Sequence, residues 1–303
     1  MTRAVAVCLV LACACPALAH QARPQVPLRK IVADEGCQAA TLPAAVSSAL
    51  VVSFAVLHDG QDCVIAFVRD LEREGAPLEI ISSSTPSHNW NYATVPVTDN
   101  ELSPIASVRL ENDLILVNLL YTIDDFAIPI LNGSLKHLGT IHGTFVRTWP
   151  NGLLQYDSHQ PHFGPHDVEI GVFDPKTGAN REIYPFTPCG AVRSDYVRRY
   201  YEAIGQSLAI TGDPPCRSEA AIMQPMYFDW NTNAFAFAID LFVQYGEFPK
   251  WDERAHVMVT CEGLASIDSI KCRETPLEAW QTAMPDLSLV QLVRFAASQP
   301  RFR

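Results

Sequence analysis

Three histidines fall within eight residues of this chain: His159, His162 and His166, with Asp157 and Asp167 beside them. Imidazoles and carboxylates three or four residues apart can converge on one divalent ion, and zinc suits such a donor set. An ion held there would activate water, which is the chemistry of a metal-assisted hydrolase. Pro161, Gly164 and Pro165 set the same residues on an irregular loop, unlike the single helix face of a His-Glu-x-x-His motif. The plainer reading is a polar loop joining two strands. No cofactor other than zinc is suggested.

Other reactive arrangements carry less. There is no Gly-x-Ser-x-Gly elbow to expose a nucleophilic serine, and Ser82-Ser83-Ser84-Thr85 reads as a hydroxyl-rich strand end. Asp124-Asp125 and Asp213 are carboxylates of the kind a glycosidase pairs, yet no spacing fixes two of them at a working separation. Phosphate-loop and dinucleotide fingerprints are absent. Asn132-Gly133-Ser134 is a glycosylation sequon, relevant to a eukaryotic source. Trp90, Tyr92, Trp149, Tyr156 and Trp230 sit beside turns, where a carbohydrate or peptide platform would need them. Packing between sheets is the commoner use of such rings.

The N-terminus reads as an export signal over residues 1–19. Arg3 precedes an apolar run from Ala4 to Ala12, and Ala17-Leu18-Ala19 before His20 is a small-x-small cleavage pattern. Val10-Leu11-Ala12-Cys13 also resembles a lipobox, in which Cys13 would be lipidated and the product tethered to a membrane. Of nine cysteines, Cys8, Cys13 and Cys15 lie in this leader. The remaining Cys37, Cys63, Cys189, Cys216, Cys261 and Cys272 are an even set, as disulfides in an oxidising compartment require. Their grouping favours the neighbour pairs 37/63, 189/216 and 261/272. No Cys-x-x-Cys pair points to zinc instead. The formal net charge of −11 repels phosphate backbones and argues against nucleic acid as a partner. Arg193, Arg198 and Arg199 are interleaved with Asp195 and Glu202 and read as a solvated helix face. No apolar run in the mature chain reaches membrane-spanning length.

The elements that must position any site are strands. From Ala49 onward, apolar segments of strand length come in pairs joined by turns, with tips near residues 59, 112, 151 and 232. Asp59-Gly60 and Asn151-Gly152 are hairpin signals, because both positions tolerate positive φ. Two further strand candidates follow each hairpin, giving four strands per unit. The tips lie 53, 39 and 81 residues apart, the last close to two units. That spacing is the arithmetic of propeller blades. Ala-Phe-Ala-Phe-Ala-Ile-Asp-Leu over Ala234–Leu241 puts large side chains on one face and small ones on the other, as between two packed sheets. Residues 20–45 read as an extended arm, 46–275 as the β domain, and 276–303 as a helical segment with Asp286 placed as an N-cap. Tyr196/Val197, Tyr200/Tyr201 and Ile204 have helical spacing and mark a helical insert near 190–222.

The run from Gly164 to Gly178, with Asp174-Pro175-Lys176-Thr177-Gly178 between two strands, resembles a strand and turn of a kelch- or YWTD-like blade. Over Ala49 to about Phe186 the chain resembles bacterial secreted β-propeller-like repeat proteins. The resemblance implies an all-β fold with minor helices, a propeller-like array of four-stranded antiparallel units; a β-sandwich is the alternative. On this reading the chain is an exported, non-catalytic binding or interaction protein for a protein, peptide or carbohydrate. A secreted hydrolase, metal-assisted through the three histidines, and a lipid-anchored envelope scaffold are the alternatives.

Overall fold

The computed structural model describes residues 25–37, 41–59, 62–71, 73, 75–83, 89–97, 104–120, 126–157, 169–185, 216–245 and 251–301. Alternation of apolar residues sets the architecture strand by strand. In β4 (Asp62–Val68), Val64, Ala66 and Val68 join one core while Cys63, Ile65 and Phe67 join another. Such a strand must be covered on both faces, and stacked sheets provide the cover.

Among the described residues sixteen strands form four antiparallel sheets of four, each made of consecutive strands. Sheet one holds β3 (Ser53–Asp59), β4, β5 (Leu78–Ser83) and β6 (Trp90–Val95). Sheet two holds β7 (Ile105–Glu111), β8 (Leu114–Leu120), β9 (Phe126–Asn132) and β10 (His137–His142). Sheet three holds β11 (Thr144–Thr148), β12 (Leu154–Asp157), β13 (Glu169–Asp174) and β14 (Ala179–Pro185). Sheet four holds β15 (Cys216–Asp229), β16 (Ala234–Tyr245), β17 (Trp251–Glu262) and β18 (Lys271–Pro276). The propeller-like array of four-stranded antiparallel units is therefore present.

Each sheet buries its faces on its neighbours. Sheets one and two share a core that includes Ala66, Leu78, Val117 and Leu131. Sheets two and three meet through Leu116, Ile130, Leu154 and Phe173. Sheets three and four meet through Trp149, Val172, Phe235 and Val259. Polar bonds tie the units at their margins: Ile105 N–H donates to Ser53 Oγ at 2.9 Å, and Asn151 Nδ2 donates to Leu264 O at 2.6 Å. Only Gly143 separates β10 from β11, so one run of chain leaves sheet two and enters sheet three. Gly171 in β13 lies opposite Tyr156 in β12, and a Cβ there would meet the Tyr156 ring at 2.0 Å. The phenol lies over the glycine and donates to Asn180 Oδ1 at 2.5 Å.

The two outer faces are closed by the segments that precede β3 and follow β18. The segment read as an extended arm contains β1 (Val26–Pro27) and α1 (Leu28–Asp34), because Leu28, Ile31 and Val32 recur at helical spacing and bury against Ile65, Phe67 and Ile81. β1 pairs with β2 (Leu50–Val51). At the other end, α2 (Leu277–Ala283) and α3 (Leu289–Ser298) bring Trp280, Leu292 and Ala296 onto Ala236, Ala238 and Met258. The small face of β16 thus receives helices rather than a second sheet; alanines let helix backbones approach closely. Ser288, not Asp286, caps α3, forming a capping box with Gln291. Residues 216–222, assigned to a helical insert from the sequence, begin β15, which pairs along its length with β16; positions 190–215 lie outside the described residues.

Candidate functional site

Four turns come to one edge of the stack between sheets two and three. They join β7 to β8, β9 to β10, β11 to β12 and β13 to β14. Between them lies a solvent-open groove of about 520 Å³, with Asn112, Asp113, Asn132, Ser134, Lys136 and Lys176 among its polar lining and Leu114, Leu138 and Pro175 as apolar ground. Turn chemistry shapes it. Asn112 adopts φ of 53°, a left-handed conformation that asparagine tolerates. Asn132 Oδ1 accepts from Ser134 N–H at 3.1 Å, Ser134 Oγ at 2.8 Å and Lys136 N–H at 2.9 Å. Asp174 accepts from Lys176 N–H at 2.9 Å and Thr177 Oγ1 at 3.0 Å. These bonds fix the turn backbones. The side chains of Asn112, Asp113, Lys136 and Lys176 take no part in them and have no hydrogen-bond or ion-pair partner among the described residues. They form a set of amide, carboxylate and ammonium groups free to engage a ligand.

Two other charged groupings have structural explanations. Glu79 is buried in sheet one, where Arg69 Nη2 donates to it at 2.7 Å and Tyr92 Oη at 2.8 Å. Arg69 also reaches Ala45 O at 3.0 Å, pinning the segment before β2 to the sheet. Burial first, then the bond to the Glu79 carboxylate, raises the Tyr92 phenol above its ordinary value. Asp240 and His256 face each other across β16 and β17, with Nε2 to Oδ1 at 3.6 Å. Their side chains share the sheet face that carries α2 and α3.

The sequence-predicted residues fall as follows. His159, His162 and His166 lie outside the described residues, as do Asp124, Asp125 and Asp213. Cys37 is bonded to Cys63 and Cys261 to Cys272. Cys189 lies outside the described residues, and the side chain of Cys216 is likewise not described. Trp149 and Tyr156 are buried, and Trp90 and Tyr92 pack against the N-terminal core. Trp230 alone of the five ring platforms is exposed, stacked on Phe228 at 5.2 Å between centroids. Ser82 and Ser83 are buried within β5. Turn spacing and turn chemistry located three of the groove's turns, at 112, at 151 and at 174–178, while Asn132-Gly133-Ser134 was read only as a sequon. They did not show that turns of two successive units share one edge.

No family model and no curated protein matches the chain. Among solved structures, an endo-arabinase from Bacteroides thetaiotaomicron VPI-5482 is similar at 10% identity and a TM-score of 0.22, covering 74% of this chain and 93% of that one. A bifunctional GH43-CE protein from Bacteroides eggerthii is similar at 11% identity and a TM-score of 0.21, covering 74% of this chain and 27% of that one. The non-catalytic binding module expected from the sequence is set aside and the hydrolase alternative carried forward as a proposal; endo-arabinase is the name of the first neighbour and not of this chain. At such TM-scores the proposal's support has to come from the chain's own residues.

Proposed function

We propose that the chain is an exported hydrolase acting on carbohydrate, with the turn-edge groove holding the substrate. The groove itself carries this reading. A sugar chain presents hydroxyls that both donate and accept, and rings with apolar faces. Asn112 supplies both roles, Asp113 accepts, Lys136 and Lys176 donate, and Leu114, Leu138 and Pro175 provide apolar ground. Asp113 is the carboxylate that lines the groove among the described residues, and acid–base chemistry on a glycosidic oxygen needs such a group. A zinc ion on His159, His162 and His166 belongs to the same proposal. The two disulfides agree with an oxidising, exported setting, and among the described residues no helix is long and apolar enough to cross a membrane. Release into the periplasm or medium after cleavage at Ala19 is the form proposed; a mature N-terminus at Cys13 would replace it with a lipid-tethered one. The likeness of residues 164–178 to a kelch- or YWTD-like blade is supported by the Asp174 turn.

The test is reducing-end release from a panel of polysaccharides by the purified protein, together with metal analysis. Asp113→Asn is expected to lower turnover by about 10²–10⁴-fold while the protein still folds. Turnover unchanged in that variant, or no bond cleaved in any polymer, would defeat the reading.

A further inference from the structure

Lys136 and Lys176 stand out on a chain whose formal net charge is −11. They belong to different sheets' turns, β9–β10 and β13–β14, yet both line the same groove. Neither ammonium has a carboxylate partner, and within the groove they face one acidic side chain, Asp113. Among the side chains that line the groove two positive charges stand against one negative, and the Asp174 carboxylate behind Lys176 is already engaged by the N–H and hydroxyl groups of its own turn. Long-range repulsion by the acidic surface does not cancel this. Charges farther than the screening length of about 8 Å at physiological salt are damped, whereas a bound anion sits in direct reach of the lysines. Exposed lysines on acidic proteins ordinarily gain from nearby carboxylates; here two, from turns of different sheets, line one cleft without an ion-pair partner among the described residues.

We infer that the groove selects an acidic sugar, its carboxylate held between Lys136 and Lys176 while Asn112 engages neighbouring hydroxyls. The inference rests on the carbohydrate reading above and narrows it to uronate-containing polymers. Charge-assisted bonds from two ammonium groups are stronger than neutral ones, so removing the ligand's charge should cost more than removing one of its hydroxyls.

The test uses immobilised polygalacturonate, its fully methyl-esterified form and dextran, with the full mature chain as analyte. Esterification removes the charge and keeps the backbone, so retention by polygalacturonate alone is the expected result. Retention should collapse in about 1 M salt, where the screening length is about 3 Å. The double variant Lys136→Gln/Lys176→Gln should bind about tenfold or more weakly at an unchanged melting temperature, and Lys176→Gln alone should fall between. Asp113→Asn should bind the acidic polymer at least as well as the parent. Equal retention by the methyl ester, no retention by either galacturonan, or full binding by the lysine variants would overturn the inference. Retention without bond cleavage in any polymer would instead strike the hydrolase proposal and leave this one standing.

Discussion

Glu79, Arg69 and Tyr92 show how a single charged residue is accommodated inside a β stack. A carboxylate between Leu78 and Ile80 is tolerable because a guanidinium and a phenol take up its oxygens. The phenol then resists ionisation, since losing its proton would put an anion beside Glu79 in a partly dry place. An acid whose folded pKa lies above its unfolded value of 10.0 contributes stability that is intact below pH 10. That contribution disappears as pH climbs through 10 and past the folded value, because the unfolded chain then binds fewer protons than the folded one. Chemical denaturation of the parent and Tyr92→Phe across this alkaline range should show the parent losing stability faster. Parallel curves would remove the coupling to Glu79. The composition of this triad was not visible in the sequence: Arg69 and Tyr92 are 23 positions apart, and only sheet register brings them to one carboxylate.

Elements were the most legible level. The pairs of apolar runs beginning at Leu50, Ile105, Thr144 and Met226 correspond to strands in the expected order, because hydrophobic alternation and Asp/Asn-Gly turns are local properties. What local patterning misread was the partner of a face. Ala236 and Ala238 signalled a close neighbour without saying whether it was a sheet or a helix. The last hairpin gives an element-scale prediction. Cys261 and Cys272 are directly opposed in β17 and β18, with Cα atoms 4.0 Å apart, and Cys261 points into the core between sheets three and four. The bond closes a short loop and on the chain-entropy model stabilises by about 3 kcal/mol. Replacing both cysteines with alanine should lower the denaturation midpoint accordingly and raise amide exchange in β18 more than in β16. A midpoint that stays put would show that register alone secures the edge. β15, at the opposite edge of the same sheet, breaks register twice around Gln224 and carries Pro225, features that discourage further strands from pairing there.

At the scale of the molecule, each sheet touches its sequence neighbours, so stability is distributed along a line. Damage at one end should stay near that end. Leu292 is 1% exposed on the inner face of α3, and Leu292→Asp places an unpaired charge against Ala236 and Met258. A cost of about 3–5 kcal/mol is expected, with amide protection lost in β16 and β17 before β4 and β5. Uniform loss across all four sheets would show a single cooperative unit instead. The covering of both outer faces by α1 and by α2 with α3 has a further consequence. A repeat architecture usually lengthens when a duplicated segment is appended to either terminus. Here both outer faces are already covered by helices, so any ancestral or engineered gain of a repeat has to be spliced between existing ones, beneath those covers.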